Sequence, residues 1–203
     1  MNKKLLLIIL LVVVVIGISL FFVFRKDKNT KTIDEPIDEE NIVYNVEMKI
    51  KNYGIIELEL NRNDAPITVD NFVNLVESKF YDGLTFHRII NGFMMQGGAG
   101  ETMHKSAKTI KGEFKSNGIE NNISHVRGVI SMARSSNKNS ASSQFFIVQS
   151  DSTFLDGEYA GFGHVTKGME IVDKICKDAK PINNNGIIAN DKQPVIEYIR
   201  IIK

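Results

Sequence analysis

Arg88 and Gln96 stand in a run dominated by large apolar side chains, Phe86-His87-Arg88-Ile89-Ile90-Asn91-Gly92-Phe93-Met94-Met95-Gln96-Gly97-Gly98. A guanidinium is a fixed fork of N–H donors that stays charged at any ordinary pH, and beside an apolar wall its field is poorly screened. Taken alone, such an arginine is ordinarily a solvated surface residue, and Met94, Met95 and the phenylalanines are ordinarily core. Other chemistries find less support. The histidines His87, His104, His125 and His164 lack metal-ligand spacing, and no acidic or cysteine cluster accompanies them, so no metal is expected. Serines between positions 131 and 143 invite a hydrolase reading, yet there is no nucleophile elbow and no His and Asp at recognisable positions. Gly97-Gly98-Ala99-Gly100 reads as a turn, because no strand followed by a helix frames it as a phosphate loop.

Two further runs follow in chain order, Ser143-Gln144-Phe145-Phe146-Ile147 and Phe154-Leu155-Asp156-Gly157-Glu158-Tyr159-Ala160-Gly161-Phe162-Gly163. Together the three blocks resemble the signature of the cyclophilins, the prolyl cis/trans isomerases, and the resemblance covers roughly residues 43–203. It implies catalysis of rotation about X-Pro bonds of polypeptide clients, without a cofactor and by a monomer. In the planar amide the prolyl nitrogen lone pair is delocalised; in the twisted state it is localised and accepts a hydrogen bond well. A donor aimed at that nitrogen therefore favours the transition state selectively. The resemblance gives that role to Arg88, with Gln96 anchoring the carbonyl side and Phe93, Met94, Phe146 and Leu155 walling the proline ring. It places His87, Ala133, Gln144, Phe154 and Tyr159 around the same pocket, Gln144 supporting the orientation of Arg88.

The chain departs from the best-known eukaryotic cyclophilins at Phe154, where those carry tryptophan, and at Tyr159, where they carry histidine. Asn91 replaces a frequent proline, and the loop from Arg134 to Ala141 is of the bacterial kind. These departures imply retained isomerisation and weakened cyclosporin binding. The competing reading is a non-catalytic module or chaperone that holds proline-containing segments in the same groove.

Positioning these residues requires a mainly β domain. Val46, Met48 and Ile50, then Ile56, Leu58 and Leu60, alternate with polar residues around Asn52-Tyr53-Gly54, which predicts a hairpin. Further strands are expected near 84–90, 93–96, 128–132, 144–148, 162–165 and 195–202. Pro66 suits a first helical position, and Val69, Phe72, Val73, Val76 and Phe80 give one buried stripe over about 66–79. A second helix near 169–177 carries Met169, Val172, Ile175 and Cys176 on one face. Eight strands and two separated helices fit a closed antiparallel β-barrel capped by the helices, closure being what the resemblance implies. Phe72, Phe80, Phe86, Phe145 and Phe162 are assigned to the core. The Gly-, Lys-, Ser- and Asn-rich stretch 99–125 is expected to be functional, because loops of that length in a compact domain usually are. In cyclophilins the corresponding loops border the groove.

The 203 residues allow one such domain, 43–203, plus an appendage, and a net charge of +1 without a basic cluster argues against nucleic-acid binding. Residues 5–24 carry no charge and as a helix would span about 30 Å, one bilayer core. Residues 1–24 are therefore expected to form a membrane anchor. The alternative, a cleaved signal peptide, needs a small-residue cleavage site, whereas the run ends in Phe21-Phe22-Val23-Phe24 and then Arg25-Lys26. Lys3 and Lys4 precede the span and Arg25, Lys26, Lys28 and Lys31 follow it, which by the positive-inside rule favours a cytoplasmic domain. A lysine-bearing start before an apolar run is instead the form of an export signal, and an extracellular domain is the reading adopted. Residues 25–42, polar and acidic around Pro36, are expected to be a disordered tether.

Overall fold

The computed structural model describes residues 42–103 and 105–202, so the expected anchor and nearly all of the expected tether lie outside the described residues. No helix among the described residues is long and apolar enough to cross a membrane.

The expected hairpin is β1 (Val43–Ile50) and β2 (Gly54–Asn61), paired antiparallel from Val43 opposite Asn61 to Ile50 opposite Gly54. Alternation decides which side is buried: Val46, Met48, Ile50, Ile56, Leu58 and Leu60 are all inside. The remaining strands are β3 (Phe86–Ile90), β4 (Met94–Gly97), β5 (Val129–Met132), β6 (Phe145–Val148), β7 (Gly161–Lys167) and β8 (Ile196–Ile202). They form one antiparallel sheet in the order β3-β4-β6-β5-β7-β2-β1-β8.

The sheet curls into a half-barrel, and here the expectation of a closed barrel needs correcting. No continuous ladder joins the edge strands β3 and β8. Their leading ends meet instead at a bridge between Thr85 and Val195, with Ile196 N–H donating to the Leu84 carbonyl (2.8 Å) and Phe86 N–H to that of Pro194 (2.9 Å). Two local features stop the ladder: Pro194 has no N–H to continue it, and the outer edge of β3 beyond Phe86 is taken by residues 186–188, with Ile89 N–H donating to the Gly186 carbonyl (2.8 Å) and Ile188 N–H to that of His87 (2.9 Å).

Inside the curl, Phe72, Tyr81, Phe86, Phe145 and Phe162 pack with ring centroids 5.0–5.9 Å apart. The buried Tyr81 hydroxyl is satisfied by donating to the Ser143 carbonyl (3.0 Å). All five phenylalanines assigned to the core are buried. Helix α1 (Pro66–Glu77) lays Val69, Phe72, Val73 and Val76 on this cluster, and α2 (Met169–Asp178) contributes Val172, Ile175 and Cys176.

Helix α1 stops two residues before the expected end. Lys79 takes a left-handed φ of 57°, Phe80 N–H donates to the Leu75 carbonyl and Lys79 N–H to that of Val76, the two bonds of a Schellman ending. A lysine rather than a glycine fills the left-handed position, so the stop carries no residue-type signal. The start is capped from a distance. Ala65 precedes Pro66 and has no capping side chain, and the carboxylate of Glu113, itself buried, accepts from Ile67 N–H (3.0 Å), Thr68 N–H (2.7 Å) and Thr68 Oγ–H (2.6 Å). One task of the 99–125 stretch is thus to bring a carboxylate to a helix start some 45 residues earlier in the chain.

Glu113→Ala leaves those buried donors unsatisfied and is expected to destabilise the domain by about 2–3 kcal/mol. A urea unfolding midpoint equal to wild type would show that water or another acceptor replaces the cap.

Candidate active site

The site is one rung of the sheet. Across its outer face Arg88 on β3 lies opposite Gln96 on β4, Gln96 opposite Phe146 on β6, and Phe146 opposite Ser131 on β5. Arg88 reaches that face only because β3 carries an extra residue. Phe86 pairs with Gly97 and Arg88 with Gln96, so His87 is a bulge. In regular alternation Phe86 and Arg88 would share a face; the bulge sends Phe86 to the core and Arg88 outward. Opposite Phe86 only glycine fits, since a Cβ on Gly97 would lie 2.8 Å from the Phe86 ring and from the Thr85 carbonyl.

Strand β6 is buried on both sides. Phe145 and Ile147 enter the barrel core, while Phe146 and Val148 join Met94, Val129 and Leu155 in a second apolar cluster. This cluster floors a slot of about 260 Å³ lined by Arg88, Phe93, Met94, Gln96, Phe146, Phe154, Leu155 and Tyr159. A second cavity of about 320 Å³ adjoins it at Gln96 and is lined by Ala133, Arg134, Ser135, Ser140, Ser142 and Gln144. Ala133 and Gln144 line the second cavity, and Ala133 also packs against the cluster that floors the slot. His87 lines neither cavity, nor does any described residue of 99–125. From that stretch Ile123 packs against the second cluster instead.

The Arg88 guanidinium is fixed by two hydrogen bonds, and its Nη1 also lies 4.0 Å from the Met94 sulfur. Nε–H donates to the Asn185 carbonyl (2.8 Å) and Nη1–H to Gln96 Oε1 (3.2 Å), whose Nε2 donates to Gln144 Oε1 (3.0 Å). Gln144 thus orients Arg88 through Gln96, and Nη2 makes no hydrogen bond among the described residues. Phe93 is held by Gln149: Gln149 N–H donates to the Phe93 carbonyl (2.8 Å), and Gln149 Oε1 accepts from Gly92 N–H (2.6 Å). Asn91 Oδ1 accepts from Gln149 Nε2 (3.2 Å), which gives this departure from proline a use. Phe93 and Phe154 rings lie 5.6 Å apart at the rim, where Phe154 is 72% exposed.

Tyr159 packs edge-on against Phe146 at 5.8 Å and is itself covered by Arg134, whose guanidinium lies 4.7 Å from the Tyr159 ring centroid and 5.1 Å from that of Phe114. Arg134 also donates to the Glu158 carbonyl (2.9 and 3.0 Å). Neither Arg134, Gln149 nor Asn185 was singled out by residue type, since each acts through backbone or ring contacts that one sequence does not display.

The structure also corrects the reading of the serines. Ser131, His125 and Asp156 do come together: Ser131 Oγ and His125 Nε2 are 2.9 Å apart, and His125 Nδ1 and Asp156 Oδ1 are 2.9 Å apart. Ser131 and His125 are fully buried, and the imidazole stacks against Phe146 at 6.1 Å, so no substrate can reach the hydroxyl. The chain of bonds docks the rim instead. Asp156 follows the 3-10 turn Thr153–Leu155, accepts also from His125 N–H (2.7 Å), and Ser152 N–H donates to the His125 carbonyl (2.8 Å). Burial pushes the His125 pKa down, outweighing the pull of Asp156. Burial alone would raise that of Asp156, but hydrogen bonds from His125 N–H, Ser124 and the imidazole hold it below the usual carboxylate range. Burial pushes the Cys176 thiol up to about 12, so it is inert packing on α2. Among the described residues no three His, Cys, Asp or Glu side chains gather as metal ligands.

A domain with an arginine fixed beside an apolar slot can be compared with known proteins. Residues 45–203 match the family described as cyclophilin type peptidyl-prolyl cis-trans isomerase/CLD. The chain belongs to the cyclophilin-type prolyl isomerases. A peptidyl-prolyl cis-trans isomerase of Acinetobacter baylyi is 48% identical over 159 residues, covering 74% of this chain and 80% of that one. Peptidyl-prolyl cis-trans isomerase A of Dickeya dadantii is 46% identical over 160 residues, with 74% and 80% covered. A cyclophilin-type isomerase of Cryptosporidium parvum, crystallised in the presence of the dipeptide Ala-Pro, superposes with a TM-score of 0.66 at 28% identity, over 78% of this chain and 99% of that one. The half-barrel and its two helices are thus the cyclophilin fold.

Because His125 is held neutral, acidification costs this cyclophilin stability. Its unfolded chain takes up a proton at His125 as pH falls through about 6.5, while the folded form does not until its own lower pKa is reached. Stability is expected to fall over that interval by up to about 1.4 kcal/mol per pH unit. In His125→Gln this component is absent. Urea midpoints at pH 7.5, 6.5 and 5.5 measure it, and parallel slopes for the two proteins would contradict the assignment.

Proposed function

We propose that this cyclophilin accelerates rotation about X-Pro bonds by seating the proline ring on Phe146, Met94 and Leu155 and donating from Arg88 to the prolyl nitrogen as the amide twists. The observation that carries this reading is a guanidinium tied back through Nε and Nη1 with Nη2 uncommitted, beside an apolar slot. Gln96 Oε1 is engaged with Arg88 and one Nε2 hydrogen with Gln144, which leaves the second Nε2 hydrogen for the substrate carbonyl. Phe93 closes the slot from the rim.

The uncatalysed barrier is about 18–20 kcal/mol, and a rate gain of about 10⁵ requires close to 7 kcal/mol of transition-state preference. A single preorganised donor supplies about 2.7–4 kcal/mol; desolvation and positioning in the slot supply the remainder. No bond breaks and no proton moves. The slot's lining contains no carboxylate, histidine or thiol, so the reaction itself needs no titrating group near neutrality.

Arg88→Ala is expected to lower cis/trans exchange of an Ala-Pro peptide, read by NMR exchange spectroscopy, by about 10²–10³-fold with peptide affinity little changed. Wild type that binds the peptide without accelerating it would make the protein a proline-binding module. Cyclosporin should inhibit the same assay with less than nanomolar potency, because Phe154 offers a smaller, exposed ring at the rim; nanomolar inhibition would contradict this account.

The apolar run of residues 5–24 supports a further part of the reading, that the domain works on clients near a membrane surface, outside the cell, on a tether of residues 25–42. Protease added to intact cells should then remove the domain while leaving cytoplasmic markers whole. Protection until lysis would put the domain in the cytoplasm, and release by carbonate wash would remove the anchor.

A further inference from the structure

The segment 181–188 lies outside every stretch the sequence singled out, yet it holds the arginine. It folds back on itself through a Pro181–Ile188 bridge, with Ile182 N–H donating to the Ile187 carbonyl (2.8 Å). Its returning limb runs along the outer edge of β3. Arg88 bridges Ile187, Ile89 N–H donates to the Gly186 carbonyl (2.8 Å), and Ile188 N–H donates to that of His87 (2.9 Å). The bulged residue is thereby held from the edge opposite β4.

At the tip of this hairpin Asn183 acts through both backbone and side chain: Gly186 N–H donates to its carbonyl (3.1 Å). Its Oδ1 accepts from Asn185 N–H (3.0 Å) and from Ile187 N–H (3.2 Å), fixing the peptide units on both sides of the Asn185 carbonyl. That carbonyl is the acceptor for Arg88 Nε–H. Gly186 sets the approach: its φ is 82°, and a Cβ there would lie 2.5 Å from Ile90 Cγ1 and 2.7 Å from the Ile89 carbonyl. The hairpin can press on β3 only through a glycine. Asn183 is exposed and lines neither cavity, so it has no part in substrate contact or in the core.

We propose that Asn183 is a positioning residue for catalysis: through the Asn185 carbonyl it holds the Arg88 guanidinium in the plane that presents Nη2 to the slot. This rests on the role given to Arg88. A free arginine side chain samples many rotamers, and without the Asn185 carbonyl the guanidinium keeps only its Nη1 contacts, to Gln96 Oε1 and the Met94 sulfur, about which it can swing. The Asn185 contact removes that freedom before substrate arrives, which is a contribution to rate and not to affinity.

The test uses the full-length chain with the Ala-Pro exchange assay, peptide titration and the ¹⁵N signal of Arg88 Nε–H. Asn183→Ala is expected to lower the exchange rate about tenfold with peptide Kd and Tm unchanged, and to move the Nε–H signal towards that of a free arginine with faster solvent exchange. Asn183→Asp, which keeps an oxygen in the same place, should restore both. Arg88→Ala runs alongside. If it collapses the rate while Asn183→Ala matches wild type, the positioning role is overturned and the catalytic reading stands. Equal losses in rate, Tm and affinity for Asn183→Ala would make the residue merely structural and also overturn the proposal. A fully active Arg88→Ala overturns both readings, and it alone identifies the failure as that of the catalytic assignment.

Discussion

One extra residue in β3 governs the geometry of this site. A regular strand would place Phe86 and Arg88 on one face, and either the barrel core would receive a guanidinium or the groove would lose it. The bulge at His87 resolves the conflict by reversing the alternation within a single strand. Its position is held from two sides, by β4 with Gly97 making room for the Phe86 ring, and by the 181–188 hairpin pairing along the other edge. With the reversal in place, Arg88, Gln96, Phe146 and Ser131 fall on one rung and the site follows from strand pairing.

The second constraint is a wall with two apolar faces. β6 puts Phe145 and Ile147 into the barrel and Phe146 and Val148 into the slot, so the groove floor cannot shift without disturbing the core behind it. The floor is supported from below by an imidazole that burial keeps neutral. The polar groups there are paired in sequence, serine to histidine to aspartate, so an apolar slot is backed by satisfied hydrogen bonds rather than by a void. The same residue types that would make a nucleophilic triad in the open serve here to fasten the Thr153–Leu155 turn, and with it the rim, to the sheet.

Neighbouring side chains and carbonyls hold several residues of the groove in place. Gln144 and Gln96 act on one side of Arg88 and the Asn185 carbonyl on another; Gln149 fixes Phe93; Arg134 lies over Tyr159. A reaction that moves no proton and breaks no bond depends on such orientation, because differential hydrogen bonding to a twisted amide exists only if the donor is already aimed.

Much of this was legible in the chain. Alternation located the first hairpin and the 3.6-residue stripe both helices; β5 and β6 are buried throughout and show no alternation, and while strand geometry requires Phe145 and Phe146 to face opposite ways, it was the resemblance that gave Phe146 to the groove. The residues that line the slot, from Arg88 through Tyr159, all lie within three short blocks of the chain. The end of α1 at Lys79, its capping by Glu113 and the meeting of the sheet edges at Thr85 and Val195 were not, because none depends on a residue-type rule. Nor could the sequence display that Ser131, His125 and Asp156 converge, that Ala133 and Gln144 face a second cavity, or that an asparagine almost a hundred residues away holds Arg88. Period and composition are properties of neighbours in the chain, and they determined the elements and the kind of surface each must bury. Which carbonyl meets which guanidinium is a property of register, bulges and loop closure summed over the whole sheet, and only the tertiary structure decides it.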